Sequence, residues 1–249
     1  MGPGVDPHLY KATQGDLGKL SNADLVFYNG LHLEGKMGEV LEKLERIKPV
    51  FAVSAGVAEN RIRKSVEFQN SSDPHIWFDV SIWKEAVGYM SEQLQSADSS
   101  NAAYYAENTK VYIAALEKLH EEVKEAIAQI PSDQRVLITA HDAFGYFGDA
   151  YQIEVKGLQG ISTLSDFGLK DVSELVKFIT KREIKAVFVE TSVSEKSINA
   201  VVEGTRQRGF EVKIGGSLYS DAMGEEGTPE GTYIGMVKAN VQKIVDALR

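Results

Sequence analysis

One stretch of this chain constrains its fold more than any other, because residues 98–130 contain neither glycine nor proline. Apolar side chains recur there at helical spacing among charges of both signs. They are Tyr105, Val111, Ile113, Leu116, Leu119 and Val123. A helix of about 30 residues would be about 45 Å long, which is more than one compact lobe requires. The pattern predicts a helical rod that joins two lobes; two helices with an unmarked bend are the alternative.

The sequence on both sides of this stretch alternates between strand and helix patterns. The predicted strands are 24–29, 49–54, 135–140, 153–157, 186–191 and 211–215. The predicted helices are 33–46, 80–95, 143–151, 171–182, 194–208 and 229–248, and a long polar loop covers 55–74. Such alternation is typical of a parallel sheet with helices on its faces.

We therefore predict an α/β fold of two lobes, each with a mostly parallel sheet flanked by helices, joined by one long rigid helix. The expected boundaries are 1–97 for the N-terminal lobe, 98–130 for the linker helix and 131–249 for the C-terminal lobe. We also expect sequence to be missing upstream, because the chain opens directly on a predicted loop. Either an internal Met was assigned as the start, or the chain is a fragment.

Composition narrows the classes of function. The formal net charge is −9, which disfavours a nucleic-acid binder and suits a protein that collects cations. The chain has no cysteine, so disulfides, iron–sulfur clusters and thiol catalysis are excluded. Any metal must be held by His, Asp or Glu. The sequence also lacks an apolar run of the about 20 residues that a membrane span requires.

Two of the five histidines lie in identical tripeptides, Asp6-Pro7-His8 and Asp73-Pro74-His75. Chance alone would give about 0.1 Pro-His pairs in this composition. Proline restricts the backbone ahead of the imidazole, and the aspartate can cap the turn or orient the ring. We favour metal ligation by both histidines over the alternative, a pair of ordinary turns with solvated rings.

Three more candidates follow predicted strands of the C-terminal half. His141 follows the predicted strand 135–140, Glu190 lies at the end of the predicted strand 186–191, and Asp221 lies just beyond the last predicted strand, 211–215. Ligands of open α/β sheets bind at the carboxyl ends of the strands. His141 and Asp221 are candidate ligands, and Glu190 is a weaker candidate that would accept a hydrogen bond from a ligand. A hydrogen-bonded structural His and a loop-capping Asp remain alternatives, whereas His32 and His120 read as solvated surface residues.

Three neutral imidazoles and one carboxylate make a sensible site for one divalent transition metal per chain. Two classes of function fit such a site. The first is a binding protein that captures and delivers the metal. The second is a metal-dependent hydrolase that uses the same His₃Asp site with Glu190 as general base. A hydrolase needs an open coordination position, and four protein ligands leave little room for one, so we favour the binding protein.

Six stretches of the sequence resemble one family, the metal-specific solute-binding proteins of ABC transporters that serve manganese and zinc uptake. The stretches are GPGVDPHLY (2–10), YNGLHLE (28–34), DPHIWFD (73–79), TAHDAFGYF (139–147), KGLQGIST (156–163) and SDAMG (220–224). The resemblance runs essentially from end to end and is strongest to the manganese-binding lipoproteins of Gram-positive bacteria.

This resemblance implies four ligands at His8, His75, His141 and Asp221, two α/β lobes bridged by one rigid helix, and no enzymatic activity. It also implies an ABC transporter permease with its ATPase as partners, an extracytoplasmic location at the cell surface or in the periplasm, and membrane contact only through the permease or a lipid anchor. We expect a monomer. A role in cell adhesion can coexist with metal binding and leaves no separate mark in the sequence.

Two departures from the family pattern affect the expected cargo and stability. The signal segment and the first strands of the family are absent, so we expect an unpaired sheet edge in the N-terminal lobe. The loop 55–74 has no histidine, unlike the His-rich loop of many zinc-dedicated members, which favours Mn²⁺ over Zn²⁺. Against this, some manganese-dedicated members have Glu where this chain has His141, and a nitrogen-rich site favours Zn²⁺ in raw affinity.

Overall fold

The computed structural model describes residues 2–65, 71–164 and 167–249, and it confirms the predicted α/β class. Two compact units can be distinguished. We call Pro7–His120 the N-terminal unit, and residues 2–6 together with 121–249 the C-terminal unit. Within the described ranges, no helix is both long and apolar enough to cross a membrane.

The N-terminal unit is built on a short parallel strand pair. Strands β1 and β2 pair in register, with Val26 opposite Val50. The bounds of the elements are α1 Gln14–Asn22, β1 Val26–Tyr28, α2 Gly38–Glu45, β2 Val50–Ala52 and α3 Val80–Ala97. A small apolar core joins the strands to α2 and consists of Val26, Met37, Leu41, Leu44 and Val50. Of the predicted polar loop 55–74, residues 66–70 lie outside the described part of the chain.

Helix α1 was not predicted, because its residues are all at least partly exposed and give no apolar stripe. Its start is set by a capping box. The Thr13 hydroxyl accepts a hydrogen bond from the backbone N–H of Asp16 at 3.2 Å, and the Asp16 carboxylate accepts one from the N–H of Thr13 at 2.9 Å. The ammonium group of Lys48 donates to backbone carbonyls at the other end of α1. The Thr-x-x-Asp spacing of Thr13 and Asp16 is the sequence pattern that could have predicted this helix start.

Helix α2 begins later than predicted. The expected helix 33–46 is helical only over Gly38–Glu45. Just upstream, Gly30, Leu31 and His32 have φ values of 86°, 55° and 66°. Three successive left-handed residues cannot be continued into a right-handed helix without a turn between them. The prediction was therefore wrong for residues 33–37.

In its described residues, the C-terminal unit has two parallel strand pairs flanked by helices. Strand β3 pairs with β4, β5 pairs with β6, and β3 also lies beside β5. The bounds are β3 Val136–His141, α5 Gly145–Tyr151, β4 Glu154–Gln159, α6 Leu169–Arg182, β5 Ala186–Glu190, α7 Lys196–Arg206, β6 Lys213–Leu218 and α8 Tyr233–Leu248. Buried aliphatic residues of β3, β5, α6 and α7 form one core.

The predicted long helix is present as α4, Ala102–Ala128, whose 27 residues correspond to about 40 Å. A short 3₁₀ turn, Ser99–Asn101, separates it from α3. Within α4, residues up to His120 belong to the N-terminal unit and those from Glu121 to the C-terminal unit. The predicted domain boundaries at 98 and 130 stay a prediction.

One face of α4 is buried at helical spacing, through Leu116, Leu119, Val123 and Ile127. Val111, another apolar residue of this stretch, is 64% exposed. It lies five residues before Leu116, about 140° around the helix, and is therefore off the buried face.

Replacing Val123 with Ala should lower the free energy of unfolding by about 2 kcal/mol, since it removes two buried methyl groups and leaves a cavity. Val111→Ala makes the same chemical change at an exposed position of the same helix and should change it by less than about 0.5 kcal/mol. Urea denaturation of the metal-free variants, followed by circular dichroism, measures both. Equal effects would show that α4 is not packed as described.

Candidate metal site

In the N-terminal unit, His75 is fully buried, and its ring orientation is set by Asp73. The Nδ1 atom of His75 lies 2.8 Å from Oδ1 of Asp73, and the backbone N–H of His75 donates to the same oxygen at 3.0 Å. The aspartate of this Asp-Pro-His therefore both closes the turn and orients the ring. With Nδ1 engaged by a carboxylate, Nε2 is the nitrogen left to bind a cation.

The Asp73 carboxylate is itself held in place. Its Oδ2 lies 3.4 Å from Nε of Arg63, and its backbone N–H donates to the Arg63 carbonyl at 2.9 Å. Asp73 is only 2% exposed, so a charged guanidinium beside it offsets the cost of burying its negative charge. This support holds the carboxylate in the position where it contacts His75.

His8 lies beside His75 in the same unit. The two ring centroids are 5.4 Å apart, with 58° between the ring planes, and the Nε2 atoms of both rings are buried. His8 is 3% exposed. Asp6, in the other tripeptide, accepts a hydrogen bond from the hydroxyl of Thr163 at 2.6 Å. The contact between Thr163 and Asp6 spans 157 residues of sequence, and the sequence alone did not indicate it.

In the C-terminal unit, three predicted residues meet at the carboxyl ends of the strands. His141 ends β3, Glu190 ends β5, and Asp221 follows β6. The backbone N–H of His141 donates to Oε1 of Glu190 at 2.9 Å, and Nδ1 of the ring lies 2.5 Å from Oε2. On the other side of the ring, Nε2 lies 3.4 Å from Oδ2 of Asp221. All three side chains are buried.

The spacing between His141 and Asp221 suits a shared cation. Two donor atoms at about 2.1 Å from a tetrahedral ion are about 3.4 Å apart, which is also the separation of Nε2 and Oδ2 here. Burial alone would lower the pKa of His141, but the negative charges of Glu190 and Asp221 outweigh it and raise the pKa well above its ordinary value. The surroundings of this ring therefore favour positive charge.

The Asp221 segment has a further contact that the sequence analysis missed. The hydroxyl of Ser192 lies 2.8 Å from the hydroxyl of Ser220 and donates to Oδ2 of Asp221 at 3.4 Å. Ser192 comes two residues after Glu190, the last residue of β5. This position just beyond a strand end could have marked it as a candidate in the sequence. Of the two histidines set aside, His32 is exposed and His120 is half-buried on α4.

Comparison with known proteins gives one family over nearly the whole chain. The profile described as zinc-uptake complex component A, periplasmic (ZnuA) matches residues 1–247. The chain belongs to the ZnuA family.

Three ZnuA-family relatives cover this chain almost entirely. It is 53% identical to the manganese-binding lipoprotein MntA of Bacillus subtilis, over 100% of this chain and 81% of that protein. It is 48% identical to the zinc-binding protein TroA of Treponema pallidum, over 100% and 80%. It is 32% identical to the metal ABC transporter substrate-binding lipoprotein SloC of Streptococcus mutans, over 98% and 80%.

The fold agrees with these sequence matches. The solved structure of the periplasmic zinc-binding protein TroA from Treponema pallidum superposes with a TM-score of 0.96 at 47% identity, covering 100% of this chain and 89% of that one. As a ZnuA-family member, the chain is a solute-binding protein of the ABC-transporter type and not an enzyme. The metallohydrolase alternative has no support, and both oxygens of Glu190, its proposed general base, are engaged with His141.

A glycine of the matched segment 156–163 explains how this ZnuA-family chain brings His141 to the sheet edge. Gly157 on β4 lies opposite Thr139 of β3. A Cβ atom at Gly157 would lie 2.5 Å from the backbone nitrogen of Asp142 and 2.7 Å from the carbonyl carbon of His141. Any larger residue must therefore push away the backbone that carries the His141 ring.

Replacing Gly157 with Ala should weaken Zn²⁺ binding by about tenfold or more, because ligands must stay within about 0.5 Å of their productive positions. Gly88→Ala is the control, since a Cβ at that helical position meets nothing within 4 Å. Titration calorimetry with Zn²⁺ measures both variants. Unchanged affinity in Gly157→Ala would contradict the tight fit against His141.

Proposed function

We propose that the protein captures one divalent transition metal ion outside the cytoplasm and delivers it to an ABC-type importer. The cargo ion is bound by Nε2 of His8, His75 and His141 and by the carboxylate of Asp221. Mn²⁺ is the favoured cargo and Zn²⁺ the next.

The observation that carries this proposal is the pairing of His141 with Asp221 at 3.4 Å, with Glu190 on the opposite side of the imidazole. A carboxylate at Nδ1 is the usual partner of a metal-binding histidine, because it fixes the tautomer and makes the other nitrogen a better ligand. His75 has the same arrangement with Asp73. Two buried imidazoles oriented in this way are difficult to explain as core packing alone.

The number of ligands supports a single ion that is bound by both pairs of proposed ligands. Divalent zinc in proteins takes four ligands, and each unit of this chain contributes a buried pair. His8 with His75, and His141 with Asp221, together complete a His₃Asp set. We retain the division into lobes 1–97 and 131–249 with the linker 98–130 as part of this proposal.

The preference for Mn²⁺ has support from both sequence and relatives. The chain is 53% identical to a protein named for manganese binding. TroA, at 48% identity, is named for zinc, and the proposed ligand set is rich in nitrogen. Selectivity must then come from geometry, metal supply and release rather than from raw affinity. The extracytoplasmic location, the permease partner and its ATPase are proposed from the same relatives, one of which is named as an ABC transporter lipoprotein.

The ligand assignment predicts one metal per chain and a loss of affinity by at least an order of magnitude on His75→Ala or His141→Ala. Each substitution removes a buried donor and leaves the ion with three protein ligands. His120→Ala, a histidine outside the proposed site, is the matched control and should bind as the unaltered protein does. Elemental analysis gives the stoichiometry and calorimetry the affinity, and unchanged binding in both site variants would refute the site.

The cargo assignment predicts more Mn²⁺ than Zn²⁺ in protein purified without chelator from cells grown in equal concentrations of the two metals. Inductively coupled plasma mass spectrometry measures the ratio. Protein that carries only Zn²⁺ would overturn the manganese preference and leave metal capture itself intact.

A further inference from the structure

An asparagine side chain holds the main chain beside a proposed ligand in the N-terminal unit. Asn29 follows β1, and its Nδ2 donates to the carbonyl of Pro74 at 2.9 Å, across 45 residues of sequence. Pro74 immediately precedes His75. The same Nδ2 donates to the carbonyl of Gly30 at 3.1 Å. The amide of Asn29 therefore links the turn after β1 to the Asp-Pro-His loop.

Asn29 is held firmly enough to act as an anchor. Its backbone N–H donates to Oε1 of Glu34 at 2.6 Å, and the N–H of Gly30 donates to Oε2 at 3.2 Å. The Asn29 carbonyl accepts from the N–H of Ser54 at 3.2 Å. The turn that follows contains Leu31 and His32 in the left-handed region, a conformation that persists only where surrounding contacts impose it. The matched segment 28–34 thus contains a constrained turn that the metal ligands themselves do not explain.

The C-terminal unit has a corresponding asparagine on α8. Asn240 is 2% exposed, and its side chain forms two hydrogen bonds with the main chain of Tyr219. Oδ1 accepts from the Tyr219 N–H at 2.9 Å, and Nδ2 donates to the Tyr219 carbonyl at 2.8 Å. Tyr219 lies two residues before Asp221. Lys243, one turn further along α8, donates to the carbonyl of Ser217 at 2.6 Å and lies over the Tyr219 ring.

Both asparagines act on loop backbone next to a ligand, where a strand ladder no longer fixes the chain. Hydrogen bonds from a buried amide can replace that ladder, and they hold the loop before the ion arrives. Holding a ligand loop in its binding conformation lowers the entropy cost of binding and so raises affinity. A contact that only stabilised the fold would not need to lie within two residues of both His75 and Asp221.

We propose that Asn29 and Asn240 are positioning residues for the cargo ion, Asn29 acting through His75 and Asn240 through Asp221. This inference rests on the proposed function, because it takes both residues as ligands. It adds one determinant of affinity in each unit that does not itself touch the ion.

The first test uses Co²⁺ as the probe, because its visible absorption reports ligand geometry as well as occupancy. Asn29→Ala and Asn240→Ala should each weaken Co²⁺ binding by about tenfold to a hundredfold, the usual effect of removing a partner behind a ligand. Their bound spectra should also shift, since a displaced His75 or Asp221 changes the ligand field. Asn199→Ala, at an exposed position of α7, is the control and should leave affinity and spectrum unchanged.

Double-mutant cycles separate positioning from general stabilisation. The effect of Asn29→Ala on affinity should disappear in a His75→Ala background and persist in an Asp221→Asn background. The effect of Asn240→Ala should show the reverse pattern. A merely structural role would instead give the same loss in every background and a lower melting temperature with an unchanged Co²⁺ spectrum, which would overturn the proposal.

Asn29→Leu and Asn240→Leu keep the side-chain volume while removing the hydrogen bonds, so they serve where an Ala variant does not fold. Folded variants that bind Co²⁺ as tightly as the unaltered protein, with the same spectrum, would refute the inference. Failure of the unaltered protein to bind Co²⁺, Mn²⁺ or Zn²⁺ would instead refute the proposed function.

Discussion

The site depends on one repeated interaction, a carboxylate beside Nδ1 of a buried imidazole. Asp73 provides it for His75, and Glu190 provides it for His141. An imidazole without such a partner can rotate or change tautomer, and either change removes the nitrogen that should face a cation. A carboxylate at Nδ1 therefore turns a buried histidine into a metal ligand with a defined direction.

The fold supplies these carboxylates by two different means. In the C-terminal unit, parallel strands β3 and β5 end at the same edge, so His141 and Glu190 are brought together by sheet topology. In the N-terminal unit, Asp73 and His75 are two residues apart, and a turn through Pro74 makes the contact local. The first arrangement needs a completed sheet, and the second needs a loop that is held in place. Both place the imidazole in an environment with little access to water.

Much of this was predictable from sequence, for physical reasons. Strand and helix periodicities gave the α/β class, and the duplicated Asp-Pro-His and the strand-end residues His141, Glu190 and Asp221 gave the site candidates. What failed depended on contacts distant in sequence. Helix α1 has no apolar stripe to detect, and Val111 is exposed although it fits an apolar pattern. Asp6 contacts Thr163 and Asp73 contacts Arg63, and identical tripeptides cannot reveal these tertiary neighbours.

The central claim is that the proposed ligands, three imidazoles and one carboxylate, bind a single ion. X-ray absorption spectroscopy of the Zn²⁺-loaded protein tests it most directly, because imidazole rings give a multiple-scattering pattern that can be counted. The account predicts three imidazoles and one carboxylate around each zinc, at about 2.0–2.1 Å for the nitrogens. Two imidazoles or fewer, with the shell completed by water, would contradict it.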